Sequence, residues 1–279
     1  MTSNGLRELL MKRIIVQIYE IQEPREAERL IEMGVDRIGS VILSPDMLKA
    51  PSVREVVRLV RGSGAKSSLI PLLAREDDIL RALDYHQPDF VHFCEWIPLD
   101  PVKSALREAI CAEAIRVQKR MKKEFPMLGI TRSIPITEPG LTDPAPVRKT
   151  ILEIARTLEP YTDGFMTDTL RGYGGEGAVQ PVAGYVGITG EVCDWDLAAA
   201  LVDASRIPVI LAGGISPENV CDAVGRVRPA GIDSCTQTNA RDNRGRPIRF
   251  RKDFDRVGCL LAEVRKALFL SASPAKLTL

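Results

Sequence analysis

The chain has 279 residues, of which 45% are hydrophobic and 27% charged, and its formal net charge is +1. These values are typical of a globular protein that buries one large core. The near-neutral charge and an aromatic content of only 5% argue against nucleic acid or an anionic membrane surface as a partner.

The chain carries no sign of membrane insertion, secretion or structural metal. No apolar run approaches the roughly 20 residues of a membrane span, and residues 1–12 do not resemble a secretory signal. Six cysteines occur without CxxC spacing, and the only histidines are His86 and His92. We therefore expect reduced thiols, a cytoplasmic location and no bound metal.

Short apolar runs alternate with amphipathic helical segments along the chain. The predicted strands are Ile14–Ile18, Asp36–Leu43, Ser67–Leu73, Phe90–Phe93, Gly129–Ile136, Gly164–Thr167, Pro208–Ala212 and Gly231–Ser234. The predicted helices are Pro24–Met33, Val53–Val60, Asp77–Leu83, one within Pro101–Phe125, Val147–Leu158, Trp195–Ala204, one from about Pro217 to Val227, and Phe254–Leu268. Eight such units predict a parallel sheet closed into a (β/α)8 TIM barrel. We expect residues 1–12 to be an N-terminal extension, 13–269 a single barrel domain and 270–279 a disordered tail.

The seventh predicted strand ends in two glycines. Gly213 and Gly214 allow a ligand to approach the backbone closely, and the helix signal that follows, at Ser216 and Pro217, favours an anion. Phosphate sites of TIM barrels commonly lie after strands seven and eight. The sequence therefore predicts a phosphate site at this edge of the barrel.

Catalytic candidates lie where the predicted strands end, because TIM-barrel active sites form at that face. Asp168 follows the sixth strand and could act as a general acid if burial raises its pKa, or it could instead cap loop N–H groups. His92 ends the fourth strand as a candidate base or as a hydrogen-bonded residue lining the barrel. Tyr19 and Glu20 follow the first strand.

Motifs in the C-terminal half resemble those of the phosphoribosylanthranilate isomerase family. That family carries a GGTG element followed by FDW, then LxGGLxPENV and VRPxGVDVSSGVE. The N-terminal stretch from Ile14 to Ile42 is similar in layout to the family's VKICGIT and GADAIGFVF elements. The matching residues of this sequence are Gly187-Ile188-Thr189-Gly190, Asp194-Trp195, Gly213-Gly214, Pro217-Glu218-Asn219-Val220, Arg228-Pro229, Gly231-Ile232-Asp233 and Lys252-Asp253.

The resemblance implies an Amadori rearrangement of an N-phosphoribosyl amine to its 1-deoxy-ketose, as in tryptophan biosynthesis. It implies a small phosphorylated substrate and no cofactor, because the substrate amine itself supplies the iminium electron sink. It assigns the acid to Asp168, where the family's LLDT reads MTDT. It also implies a phosphate site formed by Gly190, Gly213, Gly214, Cys235 and Thr236.

The sequence departs from the family pattern at three places. Tyr19 and Glu20 stand where the family has its basic cysteine and the following glycine. A phenol, with a reference pKa near 10, is a much poorer base than a thiol of lowered pKa. Leu48 replaces the arginine that holds the aromatic carboxylate, with Lys49 adjacent as a candidate for binding it, and Cys235-Thr236-Gln237 replaces Ser-Ser-Gly.

Two alternatives to the isomerase therefore remain open. One is a TIM-barrel enzyme of different chemistry on another phosphorylated metabolite, and the other is a non-catalytic paralogue that binds one. The stretch from Arg171 to Tyr185 is longer than its counterpart in the family. It could be a surface loop or a lid over a different substrate.

Overall fold

A computed structural model of the chain describes residues 13–140, 143–174 and 180–272. Eight parallel strands pair in chain order, and β8 pairs with β1 to close the barrel. The barrel strands are β1 (Ile15–Ile18), β2 (Arg37–Ile42), β3 (Lys66–Pro71), β4 (Phe90–Phe93), β5 (Gly129–Thr137), β6 (Gly164–Leu170), β7 (Val209–Leu211) and β8 (Gly231–Ser234). The predicted TIM barrel is confirmed.

Each barrel strand is followed by a helix that covers the outside of the barrel. The helices are α1 (Pro24–Met33), α2 (Pro51–Ser63), α3 (Glu76–His86), α4 (Ser104–Glu124), α5 (Ala145–Leu158), α6 (Trp195–Ala204), α7 (Val220–Val227) and α8 (Phe254–Ala272). Side chains alternate across the sheet, so that Ile18 packs with Leu30 of α1 while Tyr19 packs inside the barrel with Met166. This alternation decides which residues can reach the site.

Two boundaries differ from the prediction in ways that affect the site. Strand β6 runs to Leu170, so Asp168 lies within the strand rather than after it. Helix α7 begins at Val220 rather than near Pro217, because a turn precedes it. In that turn the Oδ1 of Asn219 accepts a hydrogen bond of 2.9 Å from the N–H of Ser216. The predicted helix N-terminus therefore starts several residues beyond the glycine pair.

An antiparallel hairpin between β8 and α8 was not predicted. It consists of β9 (Asn239–Arg241) and β10 (Pro247–Lys252). Its second strand alternates apolar and polar residues at Ile248-Arg249-Phe250-Arg251, but the run spans only these residues and its apolar side chains are only half-buried, so the sequence signal is weak. The hairpin places a basic strand beside the end of β1.

The chain ends were predicted to be an extension and a disordered tail. Residues 1–12 and 273–279 lie outside the described residues, and α8 continues to Ala272, three residues past the predicted end of the barrel domain. No helix in the described ranges is both long and apolar enough to cross a bilayer. Within the same ranges, no cluster of histidine, cysteine, aspartate and glutamate side chains is arranged to hold a metal ion.

Candidate active site

Two cavities adjoin each other at the carboxyl ends of the barrel strands. The first has a volume of about 350 Å³ and the second about 460 Å³. Four residues line both cavities, namely Asp168, Ile188, Asp233 and Cys235. A ligand that filled both cavities would therefore pass directly beside two carboxyl groups.

Three backbone segments wall the first cavity: Gly187–Gly190, Gly213–Ile215 and Cys235–Gln237. A side chain at residue 213 would place its Cβ 2.4 Å from the Thr169 hydroxyl, so only glycine fits there. No lysine or arginine lines this cavity among the described residues. An anion in it would rely on backbone N–H groups, as in glycine-rich phosphate loops.

The segment that closes the long loop after β6 forms a wall shared by both cavities. The N–H of Val186 donates to the carbonyl of Cys94 at 2.8 Å, which fixes the segment to the end of β4. Gly187 has a φ of +99°, and a Cβ there would lie 2.5 Å from the Oδ1 of Asp168. Ile188 follows with a φ of +60°, a strained conformation for a β-branched residue. The backbone thus packs directly against the Asp168 carboxyl group.

Asp168 is buried on the inner face of β6, with 8% of its surface exposed. Burial raises the pKa of its carboxyl group to about 8, with a smaller contribution from the charge of Asp233, while the hydrogen bond that the Ser133 hydroxyl donates to Oδ2 opposes the shift. The group therefore holds a proton at neutral pH. A buried, protonated carboxyl at a cavity junction can act as a general acid.

A chain of hydrogen bonds crosses the barrel interior from β3 to Asp168. The Tyr19 hydroxyl lies 2.6 Å from the Ser68 hydroxyl and 3.1 Å from the Nδ1 of His92. The Nε2 of His92 lies 2.7 Å from the Ser133 hydroxyl, which in turn donates to Asp168. Tyr19 and His92 are thus brought together with the predicted acid.

Burial keeps both of these residues uncharged. It raises the pKa of the Tyr19 phenol well above its ordinary value, despite the hydrogen bond from Ser68. Burial, together with the charges of Arg132 and Arg37, lowers the pKa of His92 to about 3. Neither side chain is therefore suited to act as a general base at neutral pH.

Glu20 and Lys49 lie in different surroundings. Glu20 lines the second cavity, but its Oε1 accepts from the Nε of Arg249 at 2.6 Å and its Oε2 from Asn239 at 3.3 Å. This pair connects the end of β1 to the hairpin. Lys49 is exposed and lines an outer groove with Arg81, outside both cavities.

The predicted phosphate-site residues all lie together in the first cavity. These residues are Gly190, Gly213, Gly214, Cys235 and Thr236. Gln237, which replaces the family's glycine, donates from its Nε2 to the carbonyl of Gly190 at 2.8 Å. The Gln237 side chain, which departs from the family pattern, therefore stabilises the Gly187–Gly190 segment that faces it.

Asp233 and Ser133 belong to the site but were not among the predicted site residues. Asp233 is 5% exposed and lines both cavities, and the Nε2 of Gln17 donates to its Oδ1 at 3.1 Å. Burial raises the pKa of Asp233 to about 7, although Gln17, Lys252 and Arg37 favour its ionised form. Its inward direction follows from strand alternation, since Asp233 shares a face with Cys235.

These features define the protein as a (β/α)8 barrel whose candidate site combines a glycine-lined cavity with two buried carboxyl groups. Residues 161–236 match the family model for N-(5'-phosphoribosyl)anthranilate isomerase. The isomerase of Methanocella arvoryzae is 30% identical over 242 residues, which cover 86% of this chain and 95% of that protein. The isomerase of Methanosarcina acetivorans is 26% identical over 253 residues, which cover 88% and 94%.

The solved structure of the isomerase from Pyrococcus furiosus has the same fold. It superposes with a TM-score of 0.61 at 16% identity and covers 91% of this chain and all of that one. Because the Methanocella relative matches most of both chains, the protein belongs to the N-(5'-phosphoribosyl)anthranilate isomerase family.

Proposed function

We propose that this protein isomerises N-(5'-phosphoribosyl)anthranilate to the corresponding 1-deoxyribulose 5-phosphate in tryptophan biosynthesis. Asp168 carries the proposal, because it lies at the junction of the two cavities and holds a proton at neutral pH. An Amadori rearrangement begins with protonation of the ring oxygen, and a buried carboxylic acid at the sugar position supplies that proton.

The two cavities fit the two ends of this substrate. The glycine-walled cavity would hold the phosphate through backbone N–H groups. The second cavity would hold the aromatic ring, since aliphatic side chains supply much of its lining. Those side chains are Val41, Ile70, Leu72, Met166, Val186 and Ile188. The reaction needs no cofactor, because the substrate nitrogen accepts the positive charge when the ring opens.

The proposal is tested by measuring the turnover of phosphoribosylanthranilate, which is monitored as the loss of its fluorescence. Asp168→Asn should lower kcat by about 10²–10⁴-fold, the usual contribution of a general acid. Asp89→Asn, at the amino end of β4 and far from the cavities, serves as the matched control. Absence of turnover by the wild-type protein at high concentration would reject the proposed activity.

A second candidate substrate is a phosphoribosyl amine whose aryl group carries no carboxylate. It is favoured by the second cavity, where no lysine or arginine is found among the described lining residues. Buried carboxylates require a cation or several donors. Comparing kcat/KM for the anthranilate and aniline derivatives decides between them, because a preference for the anthranilate would require a cation at this cavity.

A thermal shift assay distinguishes the isomerase from a non-catalytic paralogue. Such a paralogue would be stabilised by phosphosugars without turning any of them over. The cytoplasm remains the proposed location, because the six cysteines show no CxxC spacing and the chain is long enough to form a core without disulfides.

A further inference from the structure

We propose that Asp233 is the general base of the reaction and removes the C2 proton of the substrate. The inference rests on the proposed function and concerns the same site. The reaction needs a base from another position, because Tyr19 occupies the end of β1, where the resemblance places a basic thiol.

The other candidate bases are occupied or hold their protons too firmly. The two nitrogens of His92 both lie within hydrogen-bonding distance of hydroxyl groups, and Arg249 holds the carboxylate of Glu20. Burial raises the pKa of Tyr19 and raises the pKa values of the two thiols that line the second cavity well above their ordinary value. Those thiols are Cys94 and Cys235.

Strand register places Asp233 at the level of the acid. Continuing the pairing of β6 with β7 and of β7 with β8 puts Asp168 and Asp233 on either side of Ala212. Gln17 donates to Oδ1 of Asp233, while Oδ2 makes no hydrogen bond to any residue in the described ranges. Since Asp233 lines both cavities, a carboxylate oxygen is left for a ligand at their junction.

The surrounding charges divide the two carboxyl groups into an acid and a base. Lys252 on β10 and Arg37 on β2 favour the ionised form of Asp233, while Glu20 and burial oppose it. Among the described residues no cation favours the ionised form of Asp168 in this way, and the charge of Asp233 further favours its protonated form. A pair of carboxyl groups pushed apart in this way provides one proton donor and one acceptor.

The reaction balances with these two groups alone. Asp168 gives its proton to the ring oxygen, the C1–O bond breaks, and the nitrogen lone pair forms the C1=N iminium bond. The C2–H bond then breaks, its proton goes to Asp233 Oδ2, and its electron pair forms the C1=C2 bond as the iminium electrons return to nitrogen. Ketonisation moves the enol proton to C1, and transfer of one proton from Asp233 to Asp168 restores the site.

The test compares wild-type protein with Asp233→Asn, which preserves the acceptor for Gln17, and with Asp233→Ala. Asp233→Asn should lower kcat about 10²–10⁴-fold. In the wild type, kcat/KM should rise with pH as Asp233 ionises near 7 and fall as Asp168 loses its proton near 8. Asp233→Asn should lose the rise and keep the fall, which moves to lower pH because the charge of Asp233 no longer raises the pKa of Asp168. Formate should restore turnover to Asp233→Ala, a rescue that a purely structural role would not give.

The outcomes separate the inference from the proposed function. Wild-type turnover with kcat of Asp233→Asn unchanged, or with the rise in kcat/KM retained in that variant, overturns the role of Asp233 and leaves the isomerase intact. No rescue by formate, in an Asp233→Ala variant that melts like the wild type, overturns it as well. Absence of wild-type turnover overturns both proposals.

Discussion

The Nδ1 of His92 lies 3.1 Å from the hydroxyl of Tyr19, inside the barrel. This contact joins two residues that the sequence offered as separate candidate bases into one uncharged hydrogen-bonded chain. The chain ends at Asp168 through Ser133. It orients the acid from within the barrel, while the open side of Asp168 faces the cavities.

Tyr19→Phe should therefore leave most of the activity in place. The phenol is not expected to accept a proton, because burial raises its pKa. Loss of its hydroxyl removes the partner of the Ser68 hydroxyl and of the Nδ1 of His92, and should cost about 1–3 kcal/mol of unfolding free energy. Steady-state kinetics should show kcat falling less than about tenfold, below the loss expected for a general base. A larger loss in a folded variant would make Tyr19 a catalytic residue.

His92→Gln should alter the dependence of stability on pH. The pKa of His92 is about 3 in the folded protein and near 6.5 when unfolded, so only the unfolded state binds its proton between these values. This residue therefore makes the wild type lose stability as pH falls below 6.5, by about 2 kcal/mol between pH 7 and pH 5. Glutamine removes that loss.

Urea unfolding at pH 7, 6 and 5 measures the effect. The difference in unfolding free energy between variant and wild type should shift in favour of the variant by about 1.4 kcal/mol per pH unit below 6.5. His86, whose pKa is lowered to about 4, keeps its own contribution in both proteins. Parallel pH curves for the two proteins would show that His92 is not held neutral.

The barrel could be predicted because its signals are local and repeated. Each strand is an apolar run followed by an amphipathic helix, and Asp168 was identified near the end of one such run. Asp233 is not predicted in this way, because it lies within β8 and not after its end. Strand alternation over the last residues of β8 places the Asp233 side chain inside the barrel, on the same face as Cys235.

The contact between Glu20 and Arg249 could not be predicted from the sequence, for a different reason. These residues are separated by 229 positions and meet only because β8 closes on β1 and an unpredicted hairpin follows. No periodic pattern in the sequence encodes such a contact. Side chains that depart from a family pattern are therefore the hardest to interpret until their new partners are known.

Gly187→Ala should impair catalysis more than Gly184→Ala in the same loop. Both glycines have positive φ values, +99° and +82°, so each alanine should cost about 1–2 kcal/mol of backbone strain. Only at residue 187 does the new Cβ meet the Asp168 carboxyl, whereas residue 184 faces open space. We expect kcat to fall more than tenfold for Gly187→Ala but not for Gly184→Ala, because only the alanine at residue 187 would displace the Asp168 carboxyl group. Equal kinetics in the two variants would show that the wall does not position Asp168.

Arg249→Ala should destabilise the protein by leaving the buried Glu20 carboxylate without its cation. Glu20 is 3% exposed at its side chain and Arg249 is 40% exposed, so the loss should be about 1.5–3 kcal/mol, the worth of hydrogen bonds to a charged group. Arg251→Ala, on the same strand with an exposed side chain, provides the control and should change the unfolding free energy by less than about 0.5 kcal/mol.

Adding Glu20→Gln to Arg249→Ala should recover part of the loss, because the neutral amide no longer requires a cation. Chemical denaturation of the four proteins in this double-mutant cycle measures the coupling between the two side chains. A coupling near zero would mean that the hairpin is held by other contacts instead, such as the hydrogen bond of 2.8 Å from the N–H of Lys252 to the Oε1 of Glu26. A strong coupling would establish that Glu20, despite lining the second cavity, anchors the hairpin to the end of β1.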